Sequence, residues 1–187
     1  QQKFADFNAA GVNRLSIGVQ SFNNDHLSAL GRIHDSDNAL KAIEMAHICG
    51  FERFNIDLMH GLPNQTRAQA VSDLETAINT GATHISWYQL TIEPNTAFYS
   101  KPPILPIEDQ LADIQDLGQQ TLAKADFEQY EISAFARNNQ QCKHNINYWQ
   151  FGDYLGIGAG AHGKITLPDQ NRIIRSAKTR LPKHYLN

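Results

Sequence analysis

The chain has 187 residues, 41% of them hydrophobic, and a formal net charge of −3. This length and apolar content suit one domain with its own core, or part of a larger protein. No run of about 18 apolar residues predicts a membrane span, and no block of lysine and arginine predicts a nucleic-acid partner. The two cysteines, Cys49 and Cys142, form neither a CxxC-type pair nor a disulfide framework, which is typical of cytoplasmic proteins.

The predicted elements alternate between strands and helices. Short apolar or alternating runs predict strands, and longer runs with apolar residues at helical spacing predict helices. This order indicates a parallel sheet with right-handed crossover connections. The predicted strands are 12–19, 53–58, 84–92 and 129–135, and the predicted helices are a short one ending at Gly31, then 36–48, one between Thr66 and Gly81, and 107–125.

The sequence changes character after the last of these strands. An aromatic stretch at 145–151 and a glycine-rich segment at 154–162 follow a polar loop. Residues 164–176 then predict a β-hairpin. We therefore predict two parts, a βα-barrel part at 1–136 and the start of a C-terminal α+β region at 137–187.

The first residues suggest that the sequence is an internal piece of a longer protein. Residues 1–11 do not begin with methionine and are typical of the last turns of a helix closed by Gly11. We therefore expect further sequence upstream of Gln1.

Polar side chains stand at or just after the ends of three predicted strands: Gln20, Asp57 and Thr91. A strand that ends in a polar side chain and leads through a turn into a helix, repeated several times, builds the binding face of a βα-barrel. Asp57 can accept hydrogen bonds from a ribose diol or an amine, and Gln20 can pair with a carboxylate or an amide. Arg32, in an adjoining loop, suits a carboxylate. A structural pair of Asp57 and Arg32 that caps helices explains the same spacing.

A second candidate group follows the barrel part. His144 opens the run HNINYW, in which a histidine that can ligate a metal precedes aromatic side chains that can line a flat apolar site. A hydrogen-bonded loop histidine over an aromatic cluster is the alternative. Cys142-x-His144 is too short and isolated to predict a zinc site. The glycines at 156–163 lack the helix and the acidic residue of a dinucleotide fingerprint, so we do not expect a Rossmann-type site there.

Six segments of the chain form a distinctive set. They are GVNRLSIGVQSF (11–22), LGRIH (30–34), NIDLMHGLP (55–63), YQLTIEPNT (88–96), HNINYW (144–149) and the glycine-rich block GDYLGIGAGAHG (152–163). In unbroken order they resemble the oxygen-independent coproporphyrinogen III oxidase family of radical S-adenosylmethionine (SAM) proteins, and within it the HemW-type haem chaperone branch. HNINYW matches the HNxxYW motif of that branch.

The resemblance implies a fold and a set of site residues. It implies the second half of a partial, TIM-like (β/α) radical SAM barrel in the α/β class. Gln20, Arg32 and Asp57 match SAM-contacting positions of the family, and His144 matches the histidine proposed as haem ligand in the chaperone branch. Two further positions match the SAM site: Thr91 as a backbone contact and His162 as a residue near the cofactor.

The sequence departs from the family pattern in one respect. The CxxxCxxC loop that holds the 4Fe–4S cluster is absent from these 187 residues, and we expect it upstream of Gln1. This chain alone is therefore expected to hold no cluster and to perform no radical chemistry. A naturally truncated protein without a cluster is the alternative.

The resemblance implies two functions of different classes. The first is a cytoplasmic protein that binds SAM, a 4Fe–4S cluster and haem, and delivers the haem to an acceptor protein. The second is an oxidase that decarboxylates coproporphyrinogen III oxidatively. In either case we expect no nucleic-acid partner, and contact with a membrane only through a partner protein.

Overall fold

A computed structural model describes residues 2–186 of the chain. The chain divides between Gln141 and Cys142 into two compact units. Helices and strands alternate in the first unit. Its elements are, in chain order, α1 (Gln2–Ala9), β1 (Leu15–Gln20), α2 (Asn24–Ala29), α3 (Ser36–Ile48), β2 (Phe54–His60), α4 (Arg67–Asn79), β3 (His84–Gln89), α5 (Ala97–Ser100), α6 (Glu108–Lys124), β4 (Glu128–Glu131) and β5 (Ala134–Ala136).

The first three strands form the parallel sheet that the sequence predicts. β2 lies in the middle, with β1 and β3 paired parallel on either side of it. Gly18, Asp57 and Ser86 are neighbours in the register across the three strands. Because the strands run in the same direction, their carboxyl ends meet at one edge of the sheet.

The single strand predicted at 129–135 is wrong. The segment forms two short strands, β4 and β5, and β5 pairs antiparallel with both β3 and β4. The chain reverses because the Glu131 carboxylate accepts a hydrogen bond from the Ser133 backbone N–H, while the Gln129 side chain donates one to the Ile132 carbonyl. These local side-chain bonds compete with an extended backbone.

The two faces of the sheet differ because side chains alternate along each strand. Apolar side chains on one face pack against α3, α4 and α6 and form the core. The other face carries polar side chains, among them Ser16, Asn55 and Asp57. The core residues include Val19, Ile43, Phe54, Ile56, Leu58, Leu74, Ile85, Trp87, Ile114, Leu122 and Phe135.

Helix ends follow from short local motifs. Thr66 and Gln69 form a capping box at the start of α4, which confirms the predicted cap. At the end of α1, Gly11 has a φ of +94°, and the Val12 backbone N–H bonds to the Phe7 carbonyl. Val12 therefore belongs to the helix end rather than to the predicted strand. None of the helices within residues 2–186 is long and apolar enough to span a membrane.

The second unit consists of short elements. The predicted hairpin is confirmed as an antiparallel pair of strands with a left-handed Asn171 at its turn. Most of the aromatic stretch at 145–151, for which the sequence predicts no helix, lies in a helix. The elements are α7 (Lys143–Trp149), β6 (His162–Leu167), a 3₁₀ turn (Pro168–Gln170), β7 (Arg172–Ala177) and α8 (Pro182–Tyr185).

The end of α7 explains why that stretch is helical. The Phe151 and Gly152 backbone N–H groups bond back to the carbonyls of Tyr148 and Asn147, which is a Schellman motif. Phe151 adopts a φ of +58° there. The buried Lys164 ammonium stabilises this conformation, because it donates to the Phe151 carbonyl at 2.8 Å and lies 4.0 Å from the Phe151 ring centre.

Candidate functional site

The Gln20 side chain at the end of β1 reaches over β2 to Tyr88 on β3. Its backbone φ is +73°, and the pairing with β2 shifts register between Gly18 and Gln20. The Gln20 Oε1 atom accepts a hydrogen bond of 2.7 Å from the Tyr88 hydroxyl. A Cβ atom at position 18 would lie only 3.1 Å from the Gln20 Nε2 atom, so Gly18 leaves room for this side chain. A positive φ at a non-glycine residue is a strained conformation that is common at functional sites.

Asp57 stands on the same face of β2 and is held from both sides. The Ser16 hydroxyl donates to Oδ2 at 3.0 Å, and the Asn55 Nδ2 atom donates to Oδ1 at 2.7 Å. An ionised carboxylate accepts about four hydrogen bonds. The carboxylate is therefore oriented by the sheet and still has acceptor positions for a ligand.

Tyr88 connects the predicted site residues to each other. Burial raises the pKa of its phenol, and the negative charge of Asp57 raises it further. The hydrogen bond to Gln20 and the positive charge of Arg32 lower that pKa. The Tyr88 hydroxyl thus bonds to Gln20, and the charges of Asp57 and Arg32 lie close enough to act on it, with Arg32 exposed to solvent. Asp57 bonds two side chains of the sheet, so the alternative in which it caps helices together with Arg32 is wrong.

Thr91 lies two residues beyond the end of β3. It is exposed, and its hydroxyl donates to the Glu93 carboxylate at 3.1 Å. Its side-chain bond is therefore made within its own loop rather than to the group around Tyr88.

His144 and His162 both belong to the second unit. His144 is exposed in the first turn of α7, and its ring meets the Tyr148 ring edge-on at 4.8 Å. Tyr148 in turn meets Tyr154 at 4.8 Å. His162 is the first residue of β6, pairs with Ala177, and is exposed. An accessible imidazole beside edge-on aromatic rings suits a flat apolar ligand that carries a metal.

A cavity of about 310 Å³ lies beside β3 and α6, with His60, Trp87 and Gln115 among its lining residues. The His60 Nδ1 and Trp87 Nε1 atoms are buried and have no hydrogen-bond partner among the described residues. The two rings pack 4.2 Å apart. Burial lowers the pKa of His60 to about 4, so its imidazole is neutral near pH 7.

The chain is similar to known proteins both in sequence and in fold. Residues 1–77 match the Radical SAM superfamily. The chain is 54% identical to a protein named heme chaperone HemW from Escherichia coli K12, over 98% of the chain and 48% of that protein. It is 54% identical to the protein of the same name from Haemophilus influenzae, over 99% of the chain and 48% of that protein.

The chain is a homologue of these HemW proteins, and its first part matches the Radical SAM superfamily. Its fold matches the structure described as coproporphyrinogen III oxidase (HemN) from Escherichia coli, with a TM-score of 0.77 and 24% identity, over 97% of this chain and 44% of that one. The predicted α/β radical SAM fold is therefore confirmed. The chain spans about half the length of the HemW relatives that it matches.

Tyr88 and His84 support the polar group on this face of the sheet, and the sequence alone did not predict either of them as a site residue. Tyr88 lies within the segment YQLTIEPNT, and His84 begins the predicted strand 84–92. In the structure His84 is 2% exposed and bonds to Asn55 and Tyr130. Alternation along β2 and β3 was the available signal, because Asn55 shares a face with Asp57, and His84 shares one with Tyr88.

The depressed pKa of His60 predicts a pH-dependent stability. Unfolded histidine titrates near 6.5, so the unfolded state binds the proton between about pH 6.5 and 4 while folded His60 does not. The free energy of unfolding should therefore decrease as the pH falls through this range, by at most about 1.4 kcal/mol per pH unit for this group.

Urea unfolding of wild type and His60→Phe between pH 7.5 and 4 measures this effect. Asp73, whose pKa burial raises to about 6, acts in the opposite direction in both proteins, so the difference in slope isolates His60. We expect the steeper decrease in the wild type. Parallel curves would show that folded His60 accepts a proton as readily as an exposed histidine.

Proposed function

We propose that the polar face of β1, β2 and β3 is part of a SAM-binding site, and that the whole protein binds haem and delivers it to an acceptor protein. The observation that carries the proposal is the hydrogen bond from Tyr88 to Gln20, on the sheet face that also carries Asp57 and within electrostatic range of Arg32, in a chain homologous to HemW. The proposed location is the cytoplasm.

The chemistry of these side chains fits SAM. Asp57 accepts hydrogen bonds from hydroxyl or ammonium groups, and Arg32 is an exposed guanidinium that can bind a carboxylate in bidentate fashion. The amide of Gln20 can donate through Nε2, because its Oε1 is already occupied by Tyr88. Thr91 is proposed as a backbone contact, and His162 as a residue near the cofactor.

The proposal assigns the 4Fe–4S cluster to sequence outside these 187 residues. A cluster of this kind supplies electrons to SAM-dependent chemistry when it is bound. This chain contributes binding and orientation of SAM through its sheet. By itself it is proposed to be inactive in radical chemistry.

The haem part of the proposal rests on α7. His144 is accessible at the start of that helix, beside the edge-on rings of Tyr148 and Tyr154. The helix end is fixed by the Lys164 ammonium, which also bonds the Asp153 carboxylate at 2.9 Å. Hydrogen bonds from Thr166 and Lys164 hold the pKa of Asp153 at about 2. The relatives named heme chaperone support haem as the cargo.

The alternative function is oxidative decarboxylation of coproporphyrinogen III. It is favoured by the structural match to HemN, which shares 24% identity with this chain. The HemW relatives share 54% identity, so they favour the chaperone function.

Asp57→Asn is expected to weaken SAM binding. The change removes the charge and replaces one acceptor oxygen by a donor, which corresponds to about a 10- to 100-fold increase in Kd for a charged hydrogen bond. The measurement is anaerobic equilibrium dialysis of SAM against protein made from the complete coding sequence. Asp113→Asn is the matched control, since Asp113 forms an exposed ion pair with Arg67. Equal affinity of wild type and Asp57→Asn would remove Asp57 from the site.

His144→Ala is expected to weaken haem binding or to shift the Soret band, because the change removes the proposed iron ligand. The measurement is a haem titration of the same protein followed by absorption. His184→Ala, an exposed histidine of the second unit, is the control and should bind haem as the wild type does. An unchanged spectrum in His144→Ala would exclude this ligand. Absence of haem binding together with anaerobic turnover of coproporphyrinogen III would favour the oxidase.

A further inference from the structure

A chain of buried side-chain hydrogen bonds runs from Asp57 to the neighbouring strands. Asn55 and His84 are 6% and 2% exposed. Asn55 Nδ2 donates to Asp57 at 2.7 Å and to the Ser16 hydroxyl at 2.7 Å, and Asn55 Oδ1 bonds to His84 Nδ1 at 2.7 Å. The Ser86 hydroxyl donates to the same Oδ1 atom at 3.1 Å. All four hydrogen-bonding positions of the Asn55 amide are therefore used.

The direction of every bond in this chain follows from the carboxylate. An ionised Asp57 only accepts hydrogen bonds, so the Asn55 NH₂ group must face it and the Asn55 oxygen must face His84. His84 Nδ1 must then carry a proton and donate it to that oxygen. In a neutral imidazole the Nε2 atom is consequently an acceptor.

Tyr130 completes the chain. Its hydroxyl lies 2.6 Å from His84 Nε2 and therefore donates to it. Burial, followed by the charge of Arg14, lowers the pKa of His84 to about 4, so the imidazole is neutral near pH 7. Every donor between Tyr130 and Asp57 thus points toward the carboxylate, and hydrogen bonds aligned in this way polarise one another.

We propose that His84 and Tyr130 are positioning residues for the ligand of Asp57: they hold the Asn55 amide in the one orientation that presents the carboxylate to SAM. The inference rests on the proposed SAM site. Tyr130 lies in β4, His84 in β3 and Asn55 in β2. The hydrogen bonds among them therefore link the hairpin at the edge of the sheet to the binding face. Side chains fixed in this way lower the cost of ordering a site when ligand binds.

The hydrogen bond from His84 also opposes rotation of the Asn55 amide. Without the His84 donor, the Asn55 oxygen keeps only the Ser86 hydroxyl as a donor. The orientation in which Asn55 donates to Asp57 is then held less firmly. Rotation of the amide by half a turn would place its oxygen against the Asp57 carboxylate, and His84 adds to the cost of that rotation.

The test compares variants of the protein made from the complete coding sequence. SAM binding is measured by anaerobic equilibrium dialysis for wild type, Tyr130→Phe, His84→Ala and His84→Gln. Glutamine can donate to Asn55 through its amide and serves as the conservative variant. His47→Ala is the matched control, because His47 bonds to the Thr80 carbonyl and takes no part in the hydrogen bonds between Tyr130 and Asp57.

We expect His84→Ala to raise the Kd for SAM about 10-fold and Tyr130→Phe about 3-fold, as for the loss of one or two supporting hydrogen bonds. His84→Gln should recover part of the affinity, and His47→Ala should bind as the wild type does. In the Asp57→Asn background, His84→Ala should have no further effect. A structural role alone would not produce this dependence on Asp57.

Nitrogen-15 NMR of the histidine rings adds a readout that does not need SAM. Wild-type His84 should be the neutral Nδ1–H tautomer, and Tyr130→Phe should shift the Nε2 resonance, because that atom loses the hydrogen bond it accepts, while the proton stays on Nδ1. Wild-type affinity for SAM in folded Tyr130→Phe and His84→Ala, while Asp57→Asn loses affinity, would overturn the positioning role. Failure of the wild type to bind SAM would instead contradict the proposed function, and the NMR result would then decide the tautomer alone. Tyr130→Phe removes only one oxygen atom. If His84→Ala does not fold, SAM binding by Tyr130→Phe therefore still tests the positioning role.

Discussion

The hydrogen bond between the Asn55 amide and the Asp57 carboxylate is the contact on which the binding face depends. A buried polar group must be paired, because leaving it unpaired costs about 1–3 kcal/mol. Since the carboxylate accepts and does not donate, the pairing at Asn55 determines the state of each partner as far as Tyr130. The same contact uses one acceptor position of Asp57, and the carboxylate keeps others for a ligand. The Asn55–Asp57 hydrogen bond thus both pairs a buried polar group of the sheet and orients the carboxylate for a ligand.

The alternation of side chains along three parallel strands separates this polar group from the core. Ile56 and Leu58 of β2 are fully buried against the helices, while Asn55 and Asp57, which alternate with them, face the other way. The strain at Gln20, with its φ of +73°, then brings a side chain from the end of β1 to Tyr88. The second unit uses different means, a left-handed Phe151 held by the buried Lys164 ammonium, to fix the helix that carries His144.

Much of the first unit could be predicted from the sequence, because apolar periodicity indicates β1, β2, β3 and the helices between them. Gln20, Asp57 and Arg32 were predicted as site residues because strand ends and loops carry function in such folds, and their role in binding stays a prediction. The hairpin at 128–136 was missed because its turn depends on the Glu131 and Gln129 side chains rather than on glycine or proline. The helix α7 was missed because Phe151, not glycine, closes it. Tyr88, His84 and Tyr130 act through contacts between strands, which one strand's sequence does not contain.

The most direct measurement is a structure of the protein from the complete coding sequence, prepared anaerobically and crystallised with SAM. The account predicts SAM on the polar face of the sheet, with a hydrogen bond to Asp57 and with the Gln20 and Arg32 side chains in contact with it. It also predicts that Asn55 and His84 keep the positions found without ligand. SAM bound away from Asp57, or bound there after a rotation of the Asn55 amide, would contradict the account.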